Sequence, residues 1–206
     1  MAYRKIFLYT VILCFIGTTC AVANPISLPD PDTTGGKPLM AALTERQTDR
    51  TFATTDLTQQ QLSNLLYAAA GQNRTNGKFT YPTARDTRNM RVVVLLSSGA
   101  FAYHPKDHSL RRVADTDLRG IVAQQAFVKM APVTLLYIAD TAKTPEVWSA
   151  MHAGSMYQNA GLYCASEGLH NVVRGMFPSD KIAEALSLGK NEKVIITQTV
   201  GLPPKK

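Results

Sequence analysis

The spacing of apolar residues divides most of the chain into helices and strands. From Thr58, apolar side chains fall at Leu62, Leu65, Leu66 and Ala69, the period of a helix that buries one face. Thr58 followed by Gln61 is a capping box that opens this helix, and Gly71 ends it. The spacing of Leu39, Ala42 and Leu43 predicts a shorter helix after Pro38. The β-branched run Arg91–Ser97 predicts a strand, Ser98-Gly99 a turn, and Ala100–His104 a returning strand, together a hairpin. Pro132–Ala139 is apolar throughout and suits the middle of a sheet. Pro145–Leu169 has the longest helical pattern, and its stretch Met151–Ser166 carries no charge but a histidine's, which predicts burial nearly all round. A further helix is expected over residues 115–130, a short one capped by Ser179 and running through Leu186, and a last strand over Lys193–Val200. Residues 24–37, rich in Pro and Gly, read as an extended lead-in, and Asn73–Thr80 as a polar loop with an Asn76-Gly77 turn. The sum is an α+β domain over residues 38–206, with one mostly antiparallel sheet flanked by helices. Its long helix is too apolar for a lone monomer surface.

The start of the chain has a different character. Arg4 and Lys5, the apolar run Ile6–Ile16 and the small residues Ala21-Val22-Ala23 make residues 1–23 an export signal peptide, expected to be cleaved after Ala23. The apolar run is shorter than the ~20 residues that span a bilayer, so a stable membrane anchor is not expected. The mature chain would work outside the cytoplasm, in the periplasm. Cys14 and Cys20 leave with the leader, and Cys164 alone cannot build a disulfide framework. Loss of the leader removes two of the 22 basic residues and none of the 15 acidic ones, leaving a net charge of +5. Lys and Arg are scattered, with no arginine-rich arm, so nucleic acid is not an expected partner.

Candidate chemistry lies in four segments: Arg46-Gln47-Thr48-Asp49-Arg50, Pro82-Thr83-Ala84-Arg85, Gln158-Asn159 on the long helix, and Val173-Arg174-Gly175. Two arginines flanking a threonine can cradle an anion, because the guanidinium fork matches phosphate and the hydroxyl adds a donor. In this order the segments resemble the nitroreductase-like FMN-dependent oxidoreductases, especially the compact branch related to SagB-type dehydrogenases. The resemblance implies an intertwined homodimer with two FMN molecules at its interface, and small organic molecules as electron donor and acceptor. It implies that Arg46 and Thr48 take the FMN phosphate, that Arg50 faces N1/O2 of the ring, and that Lys205 in the tail is also cofactor-binding. Pro82, Thr83 and Ala84 resemble a loop that lies against the ring, with Asp86 where the family commonly has Asn and Arg88 where it has Gln. At Val173, Arg174 and Gly175 the resemblance implies backbone amides directed at flavin N5 and O4. No side chain is required as acid or base. The substrate would be a nitro-, quinone- or azoline-like compound. The rival is an exported flavin-binding or structural protein that kept the fold without turnover.

The remaining histidines and the cysteine suggest less. His152, Cys164 and His170, spaced by 12 and 6 residues, match no compact metal-ligand pattern, and His152 and Cys164 read as parts of a core-like helix. His104 and His108 read as solvated surface on the hairpin.

Overall fold

The stretch from Val133 to Ala139 contains no charged residue, and it runs fully buried through the centre of the molecule. In the computed structural model, which describes residues 24–205, it forms strand β5 (Val133–Asp140). The signal-peptide expectation for residues 1–23 lies outside the described residues. The other strands are β1 (Ile26–Ser27), β2 (Met90–Leu96), β3 (Gly99–His104), β4 (Ser109–Ala114), β6 (His170–Arg174) and β7 (Glu192–Gly201). They make one sheet in the order β1-β4-β3-β2-β5-β7-β6, with antiparallel pairing throughout. The helices are α1 (Leu39–Glu45), α2 (Gln59–Ala70), α3 (Arg119–Val122), α4 (Glu146–Glu167) and α5 (Ser179–Ala185). The fold is therefore α+β, as the pattern predicts.

Alternation along the strands sorts the core into two layers. Val92, Val94, Leu135 and Tyr137 face α2 and α4, and Val93, Leu95, Leu136 and Ile138 pack with Val122, Val128 and Ile182 on the other side. The capping box of α2 forms as expected: Thr58 Oγ1 accepts from the Gln61 amide at 3.1 Å, and Gln61 Oε1 accepts from the Thr58 amide at 3.0 Å. Gly71 ends the helix because a side chain there would collide with the Tyr67 ring and carbonyl, not because of a left-handed backbone. Gly168 does need that backbone: at φ 67° it caps the C-terminus of α4.

Several expectations need correction. Residues 115–130 hold only the four-residue α3 and a 3-10 turn over Ala126–Lys129. The Val122 carbonyl, which a longer helix would use internally, accepts instead from Arg174 Nη1 at 3.2 Å. Ser179 is the first residue of α5 and caps nothing; Pro178 precedes the helix without a side-chain cap. Helix α4 is not buried all round, because Val147 and Met151 stay 58% and 65% exposed. Strands β1, β4 and β6 were not anticipated, since Arg111-Arg112 and the polar residues His170 and Asn171 break the apolar pattern. The lead-in is not simply extended: after β1 it turns on Asp32, which accepts from the amides of Thr34 and Gly35. His108 is not solvated surface. Its Nε2–H donates to Ser63 Oγ at 2.7 Å, its Nδ1 accepts from the Tyr103 hydroxyl at 2.8 Å, and Ser63 passes its own proton to the Pro29 carbonyl.

The cap gives a direct test. Thr58→Ala should lower stability by about 1 kcal/mol, seen as a lower urea midpoint with an unchanged slope. An unmoved midpoint would mean that α2 does not depend on its cap.

Candidate cofactor site

Beyond α1 the chain crosses to the edge strand β6 and stays there. Arg46 caps the C-terminus of α1, its amide bonded to the Ala42 carbonyl at 2.9 Å. Three residues later the Asp49 amide donates to the Asn171 carbonyl at 2.9 Å, and His170 Nδ1–H donates to the Thr51 carbonyl at 2.6 Å. The Ala53 amide then donates to the Leu202 carbonyl at 2.9 Å, just beyond β7. Phe52 locks the crossing by burying its ring with Phe127, Ala131 and Val172. These contacts bring Arg46, Thr48 and Arg50 beside the His170–Asn171 end of β6 and tie Leu202, three residues before Lys205, to the same crossing.

The chain leaves these cations available. Thr48, Arg50 and Lys205 are exposed and Arg46 is half-buried. Among the described residues no carboxylate lies within 4.0 Å of the guanidinium of Arg46 or Arg50. The Arg46 stem runs over Gly161 of α4, where a Cβ would sit 3.9 Å from its methylenes. Beneath it a buried amide network fixes β6 on β7. Gln198 Nε2 donates to Asn171 Oδ1 at 3.0 Å, and the Tyr137 hydroxyl donates to Gln198 Oε1 at 2.6 Å.

At the far end of β6, Val173 is half-buried, Arg174 buried and Gly175 exposed. Gly175 has an ordinary φ, and a Cβ there would meet nothing within 4 Å. Neither backbone strain nor the chain's own packing demands a glycine here, so the open space suits a flat group lying on the backbone. The Arg174 side chain turns away into the protein. Nε donates to Thr199 Oγ1 and Nη1 to the carbonyls of Val122 and Met176, while the buried Nη2 has no partner. No carboxylate accompanies it among the described residues, and burial lowers its pKa from the ordinary arginine value. The guanidinium ties the 175–176 turn to α3, which the sequence reading, confined to the backbone here, did not anticipate.

The loop of Pro82, Thr83 and Ala84 lies elsewhere. Ala84–Asp86 forms a 3-10 turn in which Arg85, Asp86 and Arg88 take left-handed φ values of 52°, 54° and 46°. Asp86 and Arg88 satisfy each other through two 3.0 Å hydrogen bonds, and this pairing holds the Asp86 carboxyl below the usual carboxylate range. Asp86 is thereby engaged within its own loop. The Ala84 amide donates to His152 Nε2 of α4 at 2.8 Å, and Arg85 stacks on Trp148 one turn earlier. Arg46 touches α4 at Gly161 and the loop touches it at His152, nine residues or about 14 Å apart along the axis. The structure therefore places Arg46, Thr48 and Arg50 beside the His170–Asn171 end of β6 and Val173, Arg174 and Gly175 at its other end, about 13 Å further along the strand, while Pro82, Thr83, Ala84 and Asp86 lie near the start of α4 and Lys205 follows Leu202 in the tail. His152, with Asn89 and Ser149 behind it, was missed as anything but core. Two polar residues three apart on an otherwise apolar helix were the available signal.

The sequence matches the Nitroreductase family over residues 43–202. A protein of Methanocaldococcus jannaschii named as a nitroreductase is 31% identical over 163 residues, covering 71% of this chain and 82% of its own length. A crystal structure of a protein from Ralstonia eutropha, likewise named as a nitroreductase, superposes with a TM-score of 0.84 at 40% identity, covering 88% of this chain and 90% of that one. A second such structure, from Desulfovibrio desulfuricans and solved in complex with FMN, shares the fold at 17% identity with a TM-score of 0.62, covering 83% of this chain and 89% of that one. Family match, sequence identity and superposition agree: the chain belongs to the nitroreductase family.

Proposed function

We propose that the protein passes electrons between small organic molecules through FMN held by Arg46, Thr48, Arg50, Lys205 and the backbone of residues 173–175. Family membership supports the oxidoreductase class and the FMN cofactor. The observation that carries the assignment to these residues is the joint placement of unpaired cations and the open Gly175 backbone on one strand edge, β6. FMN, when bound, accepts and donates hydride at N5. Arg46 and Thr48 anchor the phosphate by charge-assisted hydrogen bonds. Arg50 faces N1/O2, where reduction places negative charge, and favours the reduced state. The amides at 174–175 orient the ring edge, so binding and orientation account for the chain's contribution without a side-chain acid or base. The substrate is a nitro-, quinone- or azoline-like compound whose flat shape stacks on the ring. With the leader removed, the protein does this work in the periplasm.

The site is completed by a second copy. Within one chain the Pro82–Ala84 loop meets α4 at His152, about 14 Å along the helix axis from the Arg46 contact at Gly161. The apolar stripe of Val147 and Met151 on α4, with Leu39, Met40 and Leu43 on α1, is left uncovered. A homodimer that buries this stripe would carry the loop of one copy towards the β6 site of the other. Sedimentation of the mature chain at micromolar concentration should give the dimer mass, and a monomer mass would contradict this arrangement.

Redox titration separates the roles of the two arginines. Arg50→Gln should lower the two-electron potential by tens of millivolts, where about 30 mV corresponds to about 1.4 kcal/mol. Arg46→Gln should weaken FMN binding and leave the potential unchanged, because a phosphate contact is equal in both redox states. Equal shifts in both variants, or none in Arg50→Gln, would refute the assignment.

A further inference from the structure

The segment from Pro82 to Arg88 is poorly supported by its own backbone. Its ends are fixed, with Tyr81 buried and stacked on Phe79 and Asn89 buried beside α4. Between them, three non-glycine residues hold left-handed conformations that cost conformational energy and persist only where surroundings impose them. The turn's own hydrogen bonds are local: the Asp86 amide to the Thr83 carbonyl, the Thr87 amide to the Ala84 carbonyl, and the Asp86–Arg88 pair. None of these ties the loop to the body of the protein. Among the described residues, the one hydrogen bond that does so from within the segment is the Ala84 amide to His152 Nε2. Arg85 adds a stacking contact on Trp148.

The chemistry behind that bond is specified in full. Nε2 accepts a backbone proton, so it carries none of its own. Nδ1 must then hold the ring proton, and it donates to Asn89 Oδ1 at 3.0 Å. The Asn89 amide nitrogen in turn donates to Ser149 Oγ at 2.8 Å, and Ser149 is completely buried. Each member of this relay fixes the next, so the imidazole has one orientation and one tautomer. An apolar residue at this position could not accept from the Ala84 amide and would leave the buried Asn89 Oδ1 without its donor.

We propose that His152 is the positioning residue of the 82–88 loop, presenting Nε2 as the fixed acceptor for the Ala84 amide, and that the loop is set against the flavin only while this imidazole is neutral. The inference rests on the FMN reading for what the loop contacts, but not for the latch itself. Protonation of Nε2 would place one N–H against another, and the anchoring hydrogen bond would be lost. The charged groups on the elements packed around His152 are Arg85, Asp86 and Arg88 on the loop, Glu146 on α4 and Arg91 on β2. Asp86 pairs with Arg88, Glu146 with Lys193 and Arg91 with Glu192, while Arg85 lies on Trp148. Burial pushes the imidazole below the ordinary histidine value of 6.5. The neutral form is therefore the native one. The contribution of the latch is complete above that value and is lost as the pH falls through the lower, folded value.

Trp148 supplies a readout that needs no flavin, because it is the single tryptophan and contacts the loop through Arg85. In the purified protein before FMN is added, tryptophan emission should change in one titration centred below the ordinary histidine value. His152→Gln, whose Oε1 can accept the same proton but does not titrate, should abolish that change. A transition that persists in His152→Gln, or one missing from the wild type, would overturn the latch. With FMN, wild-type affinity should fall by about tenfold or more between about pH 7.5 and about pH 5, the scale of one lost hydrogen bond. His152→Gln should bind within a few-fold of wild type at the higher pH and show no such fall, whereas His152→Phe should be about tenfold weaker at both. Wild-type binding by His152→Phe would also overturn the proposal. A wild type that takes up no FMN at neutral pH would refute the flavin reading, and the tryptophan titration would then decide the latch alone.

Discussion

Three hydrogen bonds along one edge of the sheet, two between backbone groups and one from the His170 ring, make the candidate site possible. They join Asp49 to Asn171, Thr51 to His170, and Ala53 to Leu202. Without them the Arg46–Arg50 segment would be a loop tip with no defined relation to β6 or to the tail. With them, Arg46 and Arg50 are held beside a strand more than a hundred residues away in sequence, whose far end offers an open glycine backbone. The edge itself is rigid because buried amides brace it from beneath: Tyr137, Gln198 and Asn171 each satisfy the next. A buried polar network of this kind tolerates little loosening, since an orphaned amide in the core costs more than the bond it loses.

Helix α4 sets the scale of the site. It carries Arg46 across Gly161 near its C-terminal end and the strained 82–88 loop at His152 nearer its start. On the same helix the apolar side chains of Val147 and Met151 are left uncovered. The same helix thus packs the core, supports the Arg46 stem and accepts the Ala84 amide of the loop.

Much of this was legible in the sequence, and the gaps have physical causes. The capping box at Thr58, the hairpin over Arg91–His104 and the buried strand at Val133 were readable because local preference and burial point the same way. Strand β6 was not, because its polar residues serve the site and the network beneath it and so depart from an apolar pattern. The region 115–130 misled because its helical spacing is overridden by Arg174, which takes the Val122 carbonyl from a sheet position 52 residues away. The arginine cluster and the Arg174-Gly175 turn could be picked out, but not their meeting on one strand edge. His152 reads as core and is buried, but its ring also accepts a hydrogen bond from a loop 68 residues away.

The central claim is that these converged cations form a phosphate cradle. It is tested most directly by comparing the affinities of FMN and riboflavin for the purified mature protein by flavin fluorescence. The two ligands share the ring and differ in the phosphate. The account predicts that FMN binds about a hundredfold or more tightly than riboflavin, the combined scale of two charge-assisted hydrogen bonds. Equal affinities for the two would contradict it.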